Sequence, residues 1–168
     1  MRFRVVIGVV AVAAAAVVSA SGGAASAQAA TTCTWGGTPV APTGTFTLRP
    51  GATNTPSTGP LAFRATGDLA GDAGCTGKLV YDGEFDPGSN CLASTFHVRV
   101  RGLPGVEWAV GSADNLVPAP AVLYDADGNV VGTELAQIVT VDNAPTYTDC
   151  STAGGFTGGS FSSVVELF

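Results

Sequence analysis

The sequence predicts an all-β domain: an eight-stranded antiparallel up-and-down barrel stapled by two disulfides. Three observations lead there. Apolar and polar residues alternate with period two in a series of short runs. Glycines and prolines, 23 and 10 in the full chain, interrupt every window beyond residue 30 that is long enough for a helix. Four cysteines, an even number, all follow an N-terminal stretch laid out as an export signal.

That stretch comes first. Arg2 and Arg4 form a short positive region, and Val5 to Ala20 carry no charge. Small residues follow, with Ala-x-Ala sites at Ala25-Ser26-Ala27 and Ala27-Gln28-Ala29. An apolar run of this length is short of the roughly 20 residues that span a bilayer. Residues 1–29 therefore read as a signal peptide, and 30–168 as a single all-β domain. The expected location is secreted, extracellular or in the cell envelope, with no membrane span after cleavage.

The strands follow in order. In Gly44–Arg49, Phe46 and Leu48 alternate with threonines. In Leu61–Gly67, Leu61, Phe63 and Ala65 share a face. In Lys78–Phe85, Leu79, Tyr81 and Phe85 oppose Lys78, Asp82 and Glu84. In Cys91–Arg101, Phe96, Val98 and Val100 oppose His97, Arg99 and Arg101. In Val106–Gly111, Val106, Trp108 and Val110 oppose Glu107, which makes Trp108 a core residue. Leu116–Tyr124 and Val130–Val141 are two further apolar runs, and Ser160–Phe168 is the last strand.

Turn residues separate these runs. Asp127-Gly128 is a strong hairpin signal, and Gly102-Leu103-Pro104-Gly105 marks a tight corner. Pro50–Pro60 is a loop, and Asp142–Gly159 is the one long connection. A four-residue turn at Asp86–Ser89 would set Leu79 opposite Phe96, Tyr81 opposite Ser94 and Lys78 opposite His97, keeping apolar and charged faces apart. Short turns favour a barrel over the alternative, a two-sheet β-sandwich. Closure would pair Gly44–Arg49 with Ser160–Phe168, and it removes exposed edges. Trp35, beside Cys33, is placed to plug a barrel end.

The meander also selects the disulfides. Cys75 and Cys91 fall at opposite ends of a hairpin, about 30 Å apart, whereas a bridge needs Cα atoms within about 7 Å. Cys33 lies at the end of Cys75, and Cys150 at the end of Cys91. The expected pairs are Cys33–Cys75 and Cys91–Cys150. A zinc site would need closer cysteine spacing, so no metal and no cofactor is expected.

The formal charge is −6, and −8 once Arg2 and Arg4 are removed. An acidic chain this poor in basic residues is unsuited to phosphate backbones, so no nucleic-acid partner is expected. Catalytic motifs are equally scarce. His97 is the single histidine, and Asp82 or Glu84 on the neighbouring strand offers a carboxylate to orient it. Cross-strand ion pairs on a solvated face explain the same residues. Asp82 and Glu84 as a glycosidase pair lack a cleft. Asp125-Ala126-Asp127-Gly128-Asn129 has the oxygens of a calcium loop but places Val130 and Ala136 where that loop has Gly and Glu; a hairpin turn explains it better.

The segments Cys33-Thr34-Trp35-Gly36-Gly37 and Asp142–Phe168 give the chain its one likeness. It resembles small secreted β-rich proteins of unassigned function from high-GC Gram-positive bacteria. The resemblance rests on Cys, Trp, Gly and turn residues. It implies export and transfers no functional residue.

The leading expectation for function is an exported, non-enzymatic barrel that binds a small apolar ligand or an extracellular partner. Eight strands leave an interior that is filled by side chains or just holds one small ligand. Phe63, Tyr81, Phe96 and Trp108 would line it. A structural or interaction protein of the cell envelope, using loops such as Pro50–Pro60, is the alternative. A hydrolase built on His97 with Asp82 or Glu84 comes third.

Overall fold

Period-two alternation gives each strand one face for water and one for a core, and a sheet curled on itself buries all the inner faces at once. The computed structural model describes residues 30–115, 117–138 and 147–168. The expected signal peptide, residues 139–141 of the seventh predicted strand, and residues 142–146 of the long connection lie outside these. In chain order the elements are β1 (Thr31–Trp35), β2 (Gly37–Thr38), β3 (Ala41–Pro42), β4 (Gly44–Ala52), β5 (Leu61–Gly71), β6 (Lys78–Phe85) and β7 (Ala93–Arg101). They continue with β8 (Trp108–Asp114), β9 (Val117–Pro118), β10 (Ala121–Tyr124), β11 (Val130–Ile138), one helical turn α1 (Tyr147–Cys150) and β12 (Phe156–Leu167).

The result is a closed eight-stranded antiparallel barrel. Neighbours pair in the sequence β4-β5-β6-β7-β8-β10-β11-β12, and β12 returns to β4, with Phe161 opposite Gly44. The predicted closure is therefore present. The sequence reading missed one strand. β1 pairs with β12 through Cys33 and Val165, and with β5 through Cys33 and Gly71. β4 pairs with the same two strands further along. β1 and β4 thus occupy one staff of the barrel in tandem. Gly36 makes this possible. Its φ of 75° suits glycine, and its carbonyl accepts from the N–H groups of Thr43 and Gly44 at 2.7 and 3.0 Å. The intervening residues loop out as the small β2–β3 hairpin.

Three other expectations change. β6 and β7 pair with Phe85 opposite Phe96, Tyr81 opposite Val100 and Glu84 opposite His97. The register expected for Leu79, Tyr81 and Lys78 is thus off by six residues. The connection is longer than Asp86–Ser89 because Asn90 turns the chain again: its side chain accepts from the N–H groups of Leu92 and Ala93. A shift by an even number leaves every face unchanged, so alternation could not detect it. Trp108 is the second change. Ala109 pairs with Val98 and is fully buried, which turns Trp108 and Val110 to the outside. Val106 is buried too, but it sits in the corner before the strand and does not share its phase. The third is that β12 starts at Phe156, four residues before the expected Ser160.

The disulfides are those expected. Cys33–Cys75 and Cys91–Cys150 have Cα atoms 5.4 and 6.2 Å apart. The core holds Trp35, Leu48, Leu79, Tyr81, Leu123 and Val165, each nearly inaccessible to solvent. The outer faces of β5–β8 carry the charges: Arg64 and Arg101 both contact Asp82, Lys78 contacts Asp68, and Arg99 contacts Glu107.

Candidate functional site: an aromatic cavity with a buried carboxylate

The barrel interior is built asymmetrically. β4–β7 send Phe46, Phe63, Tyr81, Phe85 and Phe96 inward, while β8, β10 and β11 face them with Ala113, Ala121 and Ala136. Large side chains on one wall and methyl groups on the other leave space between them. The space is a cavity of about 80 Å³, several times the roughly 10–15 Å³ that one water needs. A smaller cavity of about 40 Å³ adjoins it behind Phe46, Phe85 and Ala113. The lining of the 80 Å³ cavity grades from the inaccessible Trp35, Tyr81 and Glu134 to the half-buried Phe63, Phe85 and Phe96. Pro118 and the exposed Ala119, in the connection between β8 and β10, stand at the rim. The cavity opens at that end.

Aromatic contacts fix the wall. Trp35 packs on Tyr81 with ring centroids 4.4 Å apart, and edge-on to Phe161 at 4.6 Å. Phe63 touches both Phe85 and Phe96 at 5.2 and 5.9 Å. Pairs of this kind contribute about 0.5–1.5 kcal/mol each beyond area burial. Trp35 therefore lies in the interior wall and is not a plug at the barrel end. Its indole nitrogen lies over Gly67, where an added Cβ would come within 2.9 Å, and the N–H has no hydrogen-bond partner among the described residues.

Glu134 is the unexpected member. It is 4% exposed, and its two oxygens each accept one hydrogen bond from a neutral hydroxyl. Tyr81 on β6 donates to one and Ser163 on β12, at 2.6 Å, to the other. No lysine, arginine or histidine pairs with it among the described residues. Burial pushes its carboxyl from the ordinary 4.5 up to about 7, against the pull of the Ser163 and Tyr81 hydroxyls. Tyr81, buried beside this carboxylate, is pushed well above its ordinary value, first by burial and then by the neighbouring negative charge.

Of the four aromatic residues expected to line the interior, Phe63, Tyr81 and Phe96 meet at the cavity. Trp108 does not. It stacks face to face on Tyr124 on the outer surface, centroids 4.0 Å apart and planes 6° apart. His97 is half exposed and contacts Asp86 at 3.1 Å, on the outside, while Asp82 is taken by two arginines. The Asp125–Asn129 segment is a hairpin turn, with the Asp125 side chain accepting from the backbone N–H groups of Asp127 and Asn129. Those bonds and that from the Asn129 side chain hold the Asp125 carboxyl below its ordinary value, the Asn129 side chain most.

No protein-family model, curated protein or solved structure matches this chain. Sequence reasoning missed Glu134 because a charged residue inside an apolar run is assigned to water by default. The signal available was its neighbours on the same face, Gly132 and Ala136, which are too small to fill the interior and leave room for a polar chain.

Proposed function

We propose that this is an exported, non-enzymatic binding protein whose barrel takes a small apolar ligand. The observation that carries the reading is the open, aromatic-lined cavity of about 80 Å³, since ligand sites are concave, largely apolar and furnished with few polar groups. Export is supported by the layout of residues 1–29, by the resemblance to secreted proteins, and by two disulfides of the kind that persist in oxidising compartments. No helix among the described residues is long and apolar enough to cross a membrane. Displacement of an environment-sensitive apolar dye, with native mass spectrometry to count bound molecules, tests the reading. Saturable one-to-one displacement is expected. No displacement by any small aromatic compound refutes it.

A second reading, an interaction protein of the cell envelope, draws on the loop from Pro50 to Leu61. This loop borders a surface groove of about 430 Å³, shared with Ser89 and Ala153. Capture from envelope extract by the wild-type protein, lost on exchange of Pro50–Pro60 for a Gly/Ser stretch, is its expected result. Equal capture by both counts against it.

A further inference from the structure

We infer that the ligand is a small organic cation, an ammonium group on a single ring or short apolar body, with the ammonium paired to Glu134. This rests on the ligand-binding reading above and names its chemical class. The juxtaposition that carries it is a buried carboxylate without a cationic partner, lining a cavity whose other large side chains are aromatic.

Each part of the site favours positive charge. Glu134 receives one neutral hydroxyl per oxygen, from Tyr81 and Ser163, and a carboxylate has about four acceptor positions. Acceptor capacity therefore remains. Ionised carboxylates inside proteins are paired as a rule, because an isolated one is costly. Here the described chain supplies no partner, and the cavity is the side from which one can come. The aromatic faces of Trp35, Phe46, Phe63 and Phe161 are electron-rich and attract a desolvated cation. Tyr81 is the other titratable group in the lining, and it offers no positive charge. The acidic balance, −6 for the full chain, draws cations toward the protein as a whole. Size limits the ligand. At about 80 Å³, with Pro118 and Ala119 at its rim, the cavity takes no more than a single ring and excludes a long acyl chain.

The test compares near-isosteric probes by titration calorimetry at pH 8 with the disulfide-bonded protein: benzylamine, which is protonated at this pH, and the neutral benzyl alcohol and toluene. Benzylammonium is expected to bind at least tenfold more tightly than either neutral probe. Glu134→Gln is expected to abolish that margin, bringing benzylammonium to within about twofold of benzyl alcohol. Toluene binding as tight as benzylammonium in the wild type, or a margin that survives in E134Q, overturns the cation assignment and leaves the ligand-binding reading intact. Binding of none of the three overturns both. If E134Q does not fold, the ranking in the wild-type protein decides alone.

Discussion

Glu134 makes a prediction that needs no ligand. Its carboxyl is pushed from 4.5 to about 7 in the folded barrel, so between these values the folded state holds a proton that the unfolded chain has released. By linkage, stability falls with rising pH wherever the native state binds more protons. The contribution is fully present below about pH 4.5 and is lost as pH rises through 7. At 1.36 kcal/mol for each pH unit of difference, it amounts to about 3 kcal/mol. Most buried carboxylates that are paired behave in the opposite sense. Urea unfolding of wild type and Glu134→Gln, measured from pH 4.5 to 8.5, isolates the effect, because the exposed carboxylates are common to both proteins. Glutamine keeps the shape and still accepts from Tyr81. The stability of the wild type relative to E134Q is expected to drop by about 3 kcal/mol over this range, declining steadily between 4.5 and about 7 and levelling off above that. A difference that stays constant, or grows with pH, would refute the reasoning that burial outweighs the two hydroxyls.

Further predictions concern packing, binding and covalent structure. Ala136→Leu should fill the cavity, cutting dye or toluene affinity at least tenfold while changing stability by less than about 1 kcal/mol, since the added carbons enter free space; equal affinity by titration would contradict it. Gly67→Ala sets a Cβ 2.9 Å from the Trp35 indole nitrogen and 2.8 Å from the Gly36 Cα, and should cost about 1–3 kcal/mol in urea denaturation. Removing Cys91–Cys150, whose partners are 59 residues apart, should cost about 4 kcal/mol on the loop-entropy scale, and non-reducing peptide maps should link Cys33 only to Cys75. Trp108→Phe leaves Trp35 as the one tryptophan; its emission should still respond to ligand, because Trp35 lines the cavity and Trp108 is outside it.

The legible part of this molecule was whatever depends on parity and reach. Alternation put Phe63, Tyr81 and Phe96 on inner faces correctly, and chain geometry chose the disulfide partners. What parity cannot see went wrong. The β6–β7 register slipped by six residues without disturbing a face, because only the Asn90 turn fixes it. Trp108 reads as inward-facing because Val106, buried in a corner outside the strand, suggests a phase the strand does not keep. β1 escaped notice because its five residues, TTCTW, offer only Cys33 and Trp35 as an inner face, and because a strand broken in two by a hairpin has no periodicity across the break. Glu134 was hidden for another reason. Its burial is bought by distant residues, Tyr81 and Ser163, which no local pattern connects to it.

Carbon–proton correlation spectra of the alanine methyls probe the interior space most directly. On titration with benzylamine at pH 8, the methyls of Ala113, Ala121 and Ala136 should shift together and saturate, as the ring currents of one molecule reach all three, while those of the exposed Ala62 and Ala126 stay fixed. Interior methyls that do not move, or shifts confined to surface groups, would mean the barrel is closed and holds no ligand.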